Sequence, residues 1–334
     1  MHRSAKHHTK EESLFSRYKN DIELHLNKYI SLYRKPRSVY DPIRYIMQSG
    51  GKRFRAVLVI LSCKAVGGNP RRAFDAAAAM EILHNFTLVH DDVMDHAAVR
   101  RGKKTIHTKW DENVAILSGD EMIAQAYRIL LKTQSPLLEK ILNAYTDALV
   151  QVCEGQGFDK EFETQLSVNL DDYFLMIGKK TGRVIEACAE IGALLGDGTP
   201  AQVRAMRTYA ASIGRAFQVM DDLLDITGDQ KTFGKQIGGD IREGKKTFLL
   251  LHALIHATGK DRKLLRSIRP GNAFTNSTIK RIRNIYEQTG AINAARQEVI
   301  SGTARAERAL NTIPDSRAHA TLLWLSQQLL RRTT

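Results

Sequence analysis

Cysteine is scarce in this sequence, and the three present do not pair. Cys63, Cys153 and Cys188 stand far apart with no Cys-x-x-Cys spacing, the usage of a reduced, intracellular chain. Proline is equally sparse, seven in 334 residues, while Ala, Leu, Glu, Lys and Arg dominate, so helix is favoured throughout. No apolar run approaches the length of a membrane span. The N-terminal MHRSAKHHTK has no apolar core of the kind a signal peptide needs. No convincing period-2 strand, low-complexity segment or linker is found, and the length allows one large domain or two.

Negative charge is what the two ends lack. Residues 1–40 carry a net +5 and residues 260–334 a net +9, which together account for the whole net charge of +14. The middle of the chain is neutral. Basic ends of this kind could meet nucleic acid, but the basic residues have no interleaved aromatics and no binding signature. They read as solvated surface, with room for peripheral contact with a membrane.

Against this background two acidic stretches stand out. LVHDDVMD (88–95) and VMDDLLDI (219–226) each hold two adjacent Asp and a third three residues on, inside apolar sequence free of Gly and Pro. On a helix, Asp91 and Asp95 lie one turn apart on one face, as do Asp221 and Asp225. Asp92 and Asp222 point about 100° away. Two carboxylates roughly 5 Å apart repel by about 3 kcal/mol at an effective dielectric of 20, and like charges at this spacing weaken the helix. Cations would relieve both penalties, and carboxylates completed by substrate phosphates are the ligand set of Mg²⁺. One such motif is commonly a solvated acidic turn; two in apolar settings read as a metal site.

Basic groups accompany these carboxylates. GGKRFR (50–55) sets two glycines and then Lys52, Arg53 and Arg55 at the start of an apolar helix (56–65), a place where cations are disfavoured unless an anion sits there. Before it, residues 10–33 read as one helix and Asp41-Pro42 as the opening of another. A long helix is expected over 71–97, followed by Arg100, Arg101, Lys103 and Lys104. Further helices are expected over 110–131, 136–155, 170–195 and 201–226. The segment GDQKTFGKQIGGDIREGKKT (228–247), with Lys231, Lys235, Lys245 and Lys246, reads as a lid over phosphates.

Three other readings fail. Gly239-xxxx-Gly244-Lys245-Lys246 lacks both the Ser/Thr and the preceding strand of a P-loop. His84, His90 and His96 are spaced by six, about 120° apart around a helix, and cannot converge on one ion. The sequon at Asn85 lies inside a helix.

GGKRFR, ILHNFTLVHDDVMD, RRGKKTIH, ILSGD, EGQGFD, KKTGRVIE, FQVMDDLLD and FGKQIGGDIREGKKT, in this order, resemble the trans-prenyl diphosphate synthases from end to end. Ala56 and Lys104 depart from the family's usual prolines, and neither removes a ligand. The resemblance implies an all-α, isoprenoid-synthase-type helical bundle around a deep central cavity, one domain over 1–334 with 1–9 as a tail, a homodimer in the cytoplasm. It implies condensation of isopentenyl diphosphate with an allylic diphosphate. Asp91, Asp95 and Asp221 would bind three Mg²⁺, with Asp92, Asp222 and Asp225 in support. Arg100, Lys180 and Lys235 would hold the allylic diphosphate; Gly51, Lys52, Arg55, His84 and Arg101 would hold isopentenyl diphosphate. Thr181 and Gln218 would lie against the developing cation, and Phe86 and Thr87 would set chain length, at C20 or alternatively C15. A class I terpene cyclase and a non-catalytic partner subunit share the fold, but the cyclase normally lacks the second acidic motif and the subunit tends to lose one.

Overall fold

Apolar residues recurring at three and four, with few prolines to interrupt them, fold this chain into helices. The structure, a computed structural model, describes residues 10–165, 167–228 and 237–330. In chain order the helices are α1 (Lys10–Leu32), α2 (Arg37–Met47), α3 (Phe54–Ala65), α4 (Phe74–Met94), α5 (Ile106–Lys109), α6 (Glu112–Leu130), α7 (Leu138–Thr164), α8 (Leu170–Ile177), α9 (Arg183–Leu195) and α10 (Pro200–Thr227). They continue with α11 (Gly239–Glu243), α12 (Phe248–His256), α13 (Gly259–Arg266), α14 (Asn276–Gln288), α15 (Ala291–Ala309) and α16 (Arg317–Leu330). Between α4 and α5 lies a small hairpin of β1 (Val99–Arg100) and β2 (Lys103–Lys104). A π-turn over Gly178–Gly182 joins α8 to α9.

The chain forms two compact units. The first comprises residues 1–149, 187–207 and 311–324; the second comprises 150–186, 208–310 and 325–334. In the first, α3 is apolar all round and its residues Ala56–Leu61 are sealed from solvent, as are Ala76–Ala79 of α4. A helix without a polar face belongs at the centre of a core. Close approach needs small residues: a Cβ on Gly192 of α9 would stand 2.2 Å from the carbonyl oxygen of Val59 in α3. In the second unit, α12 buries Phe248–Leu251 and packs on α8 and α15.

Several boundaries differ from those expected. Helix α2 opens at Arg37, before Asp41-Pro42, because Val39 shares its buried face with Ile43, Ile46 and Met47. The helix expected over 71–97 is a 3₁₀ turn (Pro70–Ala73) followed by α4, which stops at Met94. Helix α7 runs on through both glycines of Gly155-Gln156-Gly157 to Thr164. The 170–195 helix is interrupted by the π-turn, and the hairpin supplies strands too short for any period to show. Among the described residues no helix is long and apolar enough to cross a membrane.

Candidate active site

In the first unit, guanidinium groups gather around the start of α3. Arg53, the N-cap of α3, has a left-handed backbone (φ 51) and a buried side chain. It donates to Glu23 at 2.7 Å, to Glu81 at 3.0 Å and to the Met47 carbonyl at 2.5 Å. One cation of the GGKRFR motif therefore closes a structural ion pair. Arg55 instead reaches His84, Nη1 to Nε2 at 3.0 Å. Burial, and then Arg55, Arg101, Arg100 and Arg53, hold the His84 pKa well below the usual imidazole value. A neutral imidazole facing a guanidinium acts as acceptor.

Arg101 donates from Nη1 to the Gly50 carbonyl at 2.5 Å. That same Nη1 lies 3.0 Å from where a Cβ of Gly51 would be, and Gly51 has φ 149, so only glycine fits there. Arg101 and Gly102 form the two-residue tip of the hairpin with φ 54 and 74, both positive as a type I′ turn requires. Burial, with Arg53 and Arg100 nearby, lowers the Arg101 pKa. Cations crowded to this degree are in want of an anion.

Arg100 donates from Nε to Asp92 Oδ1 at 2.6 Å. Asp92 is buried, which raises its carboxyl pKa, and Arg100 opposes the rise. Asp95 is the C-cap of α4, its N–H bonded to the Asp91 carbonyl at 2.8 Å. Asp91 and Asp95 thus sit at the negative end of a helix dipole, where carboxylates are least stable and a bound cation most favourable.

In the second unit, α7, the π-turn, α8, α10 and the segment around α11 line a cavity of about 120 Å³. A Cβ on Gly155 would stand 2.2 Å from the Lys180 backbone nitrogen, so glycine lets α7 touch the π-turn. The turn then presents Lys180, whose Nζ bonds Asp159 at 2.6 Å, and Thr181, whose hydroxyl donates to Gln218 Oε1 at 3.2 Å. Asp222 accepts from the Tyr173 hydroxyl at 2.7 Å and from the Phe248 N–H at 2.9 Å. Its burial pushes the carboxyl up to about 7, against these bonds and with Asp221 adding to the rise. Asp225 accepts from the Gly239 and Asp240 N–H groups at 3.1 and 3.2 Å. Asp240, raised well above the usual range by burial, then Asp225 and Asp222, has Lys245 Nζ 3.9 Å away.

Both acidic groups fit a hard divalent cation. The donors are carboxylate oxygens without sulfur or ring nitrogen, and in the second unit they raise one another's pKa in want of positive charge. Among the described residues no three His, Cys, Asp or Glu side chains converge as a complete metal site. A partial shell is what Mg²⁺ uses, with water and substrate phosphate supplying the rest.

The polyprenyl synthetase family matches residues 36–288 of this chain. A short chain isoprenyl diphosphate synthase of Methanothermobacter thermautotrophicus is 36% identical over 298 residues, which cover 89% of this chain and 91% of that protein. The chain belongs to the polyprenyl synthetase family. The crystal structure of geranylgeranyl pyrophosphate synthetase from Pyrococcus horikoshii matches the synthetase with a TM-score of 0.91 at 34% identity, covering 96% of this chain and 99% of that one. A polyprenyl synthase structure from Caulobacter crescentus, complexed with calcium and isoprenyl diphosphate, matches with a TM-score of 0.88 at 26% identity, over 99% and 100% of the two chains. The synthetase is a trans-prenyltransferase of the short-chain type with the all-α isoprenoid-synthase fold.

Of the residues expected in its site, Gly51, Arg55, His84, Arg100 and Arg101 come together in the first unit, and Lys52 beside them is exposed. Lys180, Thr181, Gln218, Asp222 and Lys245 line one cavity in the second. Lys231 and Lys235 lie outside the described residues. Phe86 is buried with its ring 4.9 Å from that of His90, whose Nε2 meets the Ile116 carbonyl at 3.1 Å. The Thr87 hydroxyl bonds the His84 carbonyl at 2.8 Å. Sequence reasoning assigned no site role to Tyr173 and Asp240, and to Asp159 only a place in a buried-looking polar pair of EGQGFD. Asp159 had a signal in its place one turn after Gly155, and Asp240 in the two glycines before it; Tyr173 had none.

Proposed function

We propose that this synthetase condenses isopentenyl diphosphate with allylic diphosphates and releases geranylgeranyl diphosphate as its main product. The observation that carries the reading is the convergence of Arg55, Arg101 and neutral His84 beside Gly51, an anion site in a chain with two intact acidic motifs. In this reading Gly51, Lys52, Arg55, His84 and Arg101 hold the diphosphate of the isopentenyl substrate. Arg100, Lys180, Lys235 and Lys245 hold the allylic diphosphate and offset the charge that builds on it as its carbon–oxygen bond breaks. Asp91, Asp95 and Asp221, supported by Asp92, Asp222 and Asp225, hold three Mg²⁺, which when bound neutralise the leaving diphosphate. Thr181 and Gln218 lie beside the allylic cation; the isopentenyl double bond attacks it, and a proton is lost to the released diphosphate. No protein nucleophile takes part. The same reading has the whole chain as one catalytic domain, working as a homodimer in the cytoplasm.

The test is product analysis with radiolabelled isopentenyl diphosphate and each allylic substrate, with and without EDTA. Labelled C20 product that vanishes with EDTA, and falls by orders of magnitude in Asp91→Ala and Asp221→Ala while circular dichroism is unchanged, is expected. Diphosphate release without isopentenyl diphosphate would mean a terpene cyclase, and metal-independent turnover would end the Mg²⁺ reading.

Product length rests on Phe86 and Thr87, five and four residues before Asp91. Relatives named as geranylgeranyl diphosphate synthases, such as that of Pyrococcus horikoshii, support C20. The buried ring of Phe86 supports a floor below the acidic motif, and a floor set higher would stop at C15, the second reading. Phe86→Ala should lengthen the products beyond C20; an unchanged distribution would mean that other residues build the floor.

A further inference from the structure

The arginines of the hairpin act only where the hairpin holds them, and two-residue strands have little stability of their own. We propose that Tyr45 is the positioning residue that fixes the Arg100–Arg101 hairpin against the Gly50–Gly51 turn, and so sets affinity for isopentenyl diphosphate.

Three contacts close a ring around it. The Tyr45 hydroxyl donates to the Lys104 carbonyl at 2.8 Å, anchoring the returning strand β2. At the hairpin tip, Arg101 Nη1 donates to the Gly50 carbonyl at 2.5 Å. From the turn, the Ser49 hydroxyl donates back to the Tyr45 carbonyl at 2.7 Å. Tyr45 therefore holds the hairpin with its side chain and the glycine turn with its backbone. Arg101 is the member of the ring that reaches the anion site.

The ring of Tyr45 is itself fixed. Lys109 Nζ lies 3.7 Å above its centroid and Lys103 Nζ lies 5.9 Å away. Trp110 meets it edge-on, centroids 5.4 Å apart at 74°, and Lys109 also lies 4.6 Å from the Trp110 ring. Cations on aromatic faces and an edge-to-face aromatic pair are stabilising geometries. They give purpose to Lys103 and Lys109, which the reaction does not use. The left-handed backbone of Arg101 adds a reason for the brace: a non-glycine residue at φ 54 is strained and persists only when its surroundings hold it.

This inference rests on the isopentenyl-site reading above, and the experiment separates the two. Tyr45→Phe keeps the ring, the cations and the Trp110 contact and removes only the bond to Lys104. Isopentenyl diphosphate titrated calorimetrically into enzyme without allylic substrate gives its Kd apart from turnover. In Tyr45→Phe that Kd and the isopentenyl KM should both rise about five-fold, the worth of one hydrogen bond. The KM for the allylic substrate should hold, because Arg100 is tethered separately to Asp92 at 2.6 Å, and so should kcat and Tm. Tyr45→Leu, which also loses the cation contacts, should raise the isopentenyl KM further. Unchanged Kd and KM in Tyr45→Phe overturns the proposal, and so does a joint loss of kcat, both KM values and Tm, which marks mere packing. If the wild type does not bind isopentenyl diphosphate at all, the function reading itself fails.

Discussion

Two glycines of α7 make opposite predictions for the same substitution. At Gly155 a Cβ would meet the Lys180 nitrogen at 2.2 Å, its Cα at 2.6 Å and the Lys179 carbonyl carbon at 2.8 Å. All three are backbone atoms of the π-turn, so no side chain can swing aside. Restoring ordinary contact needs a shift of about 1 Å, and backbone shifts forced by overpacking cost about 1–3 kcal/mol. Alanine's better helix propensity returns about 1 kcal/mol at most. Gly155→Ala should therefore lose up to about 2 kcal/mol, with Tm falling by up to about 3 °C for a chain of this size. The displaced atoms carry Lys180 and Thr181, and misplacement by about 1 Å costs on the order of 10²-fold in turnover. At Gly157, two residues on, nothing lies within 4 Å of the added carbon. Gly157→Ala should gain about 0.5–1 kcal/mol from the helix alone and leave turnover intact. Calorimetric Tm and steady-state kcat on the pair decide it. Equal shifts of the same sign in both variants would refute the claim that α7 touches the π-turn at Gly155.

Burial raises the Asp222 carboxyl to about 7, against about 3.9 in an unfolded chain. The folded state then binds the proton more tightly, so this stability is present below about pH 4 and lost as pH rises through about 7. In EDTA, Tm should drop between about pH 4 and 7 and level off above; Mg²⁺ with inorganic diphosphate should offset the drop, and Asp222→Asn should flatten it. A slope that Asp222→Asn leaves unchanged would assign the effect elsewhere. For the hairpin arginines, Arg100→Ala should raise the allylic KM and also lower Tm, because it strands the buried Asp92 carboxylate. Arg101→Ala should raise the isopentenyl KM with a smaller loss of Tm, and equal effects on both constants would dissolve this division of labour.

The parts of the molecule that the sequence made legible are those whose signals are local. Each acidic motif sits on a long apolar helix, so periodicity placed both near helix ends, and the glycines of GGKRFR announced the turn that precedes α3. What stayed hidden depends on residues far apart. Arg53 looked like one more cation for the anion, yet Glu23 and Glu81, 30 and 28 residues away, claim it. Asp222 looked like a lesser copy of Asp221, but Tyr173 and the N–H of Phe248 make it an internal strut. The π-turn has no composition of its own, since lysine, threonine and glycine occupy ordinary helices as well. It packs against Gly155 of another helix, a contact no local pattern announces.

That π-turn is, in effect, one surplus residue in a helix that would otherwise run unbroken from Leu170 to Leu195. A chain shortened by one residue there could heal the break and gain regular hydrogen bonds. Healing would keep the faces of α8 and α9, because the surplus residue is the one the turn loops out, whereas a deletion elsewhere in α8 or α9 would turn everything on one side of it by about 100° relative to the other. Either the apolar stripe of α9 or that of α8 would then leave its core, or the backbone would buckle elsewhere. The length of this segment is therefore constrained throughout: a single-codon deletion in α8 or α9 exchanges a whole helical face, and one in the turn, which keeps the faces, costs the loop that carries Lys180 to Asp159 and Thr181 to Gln218.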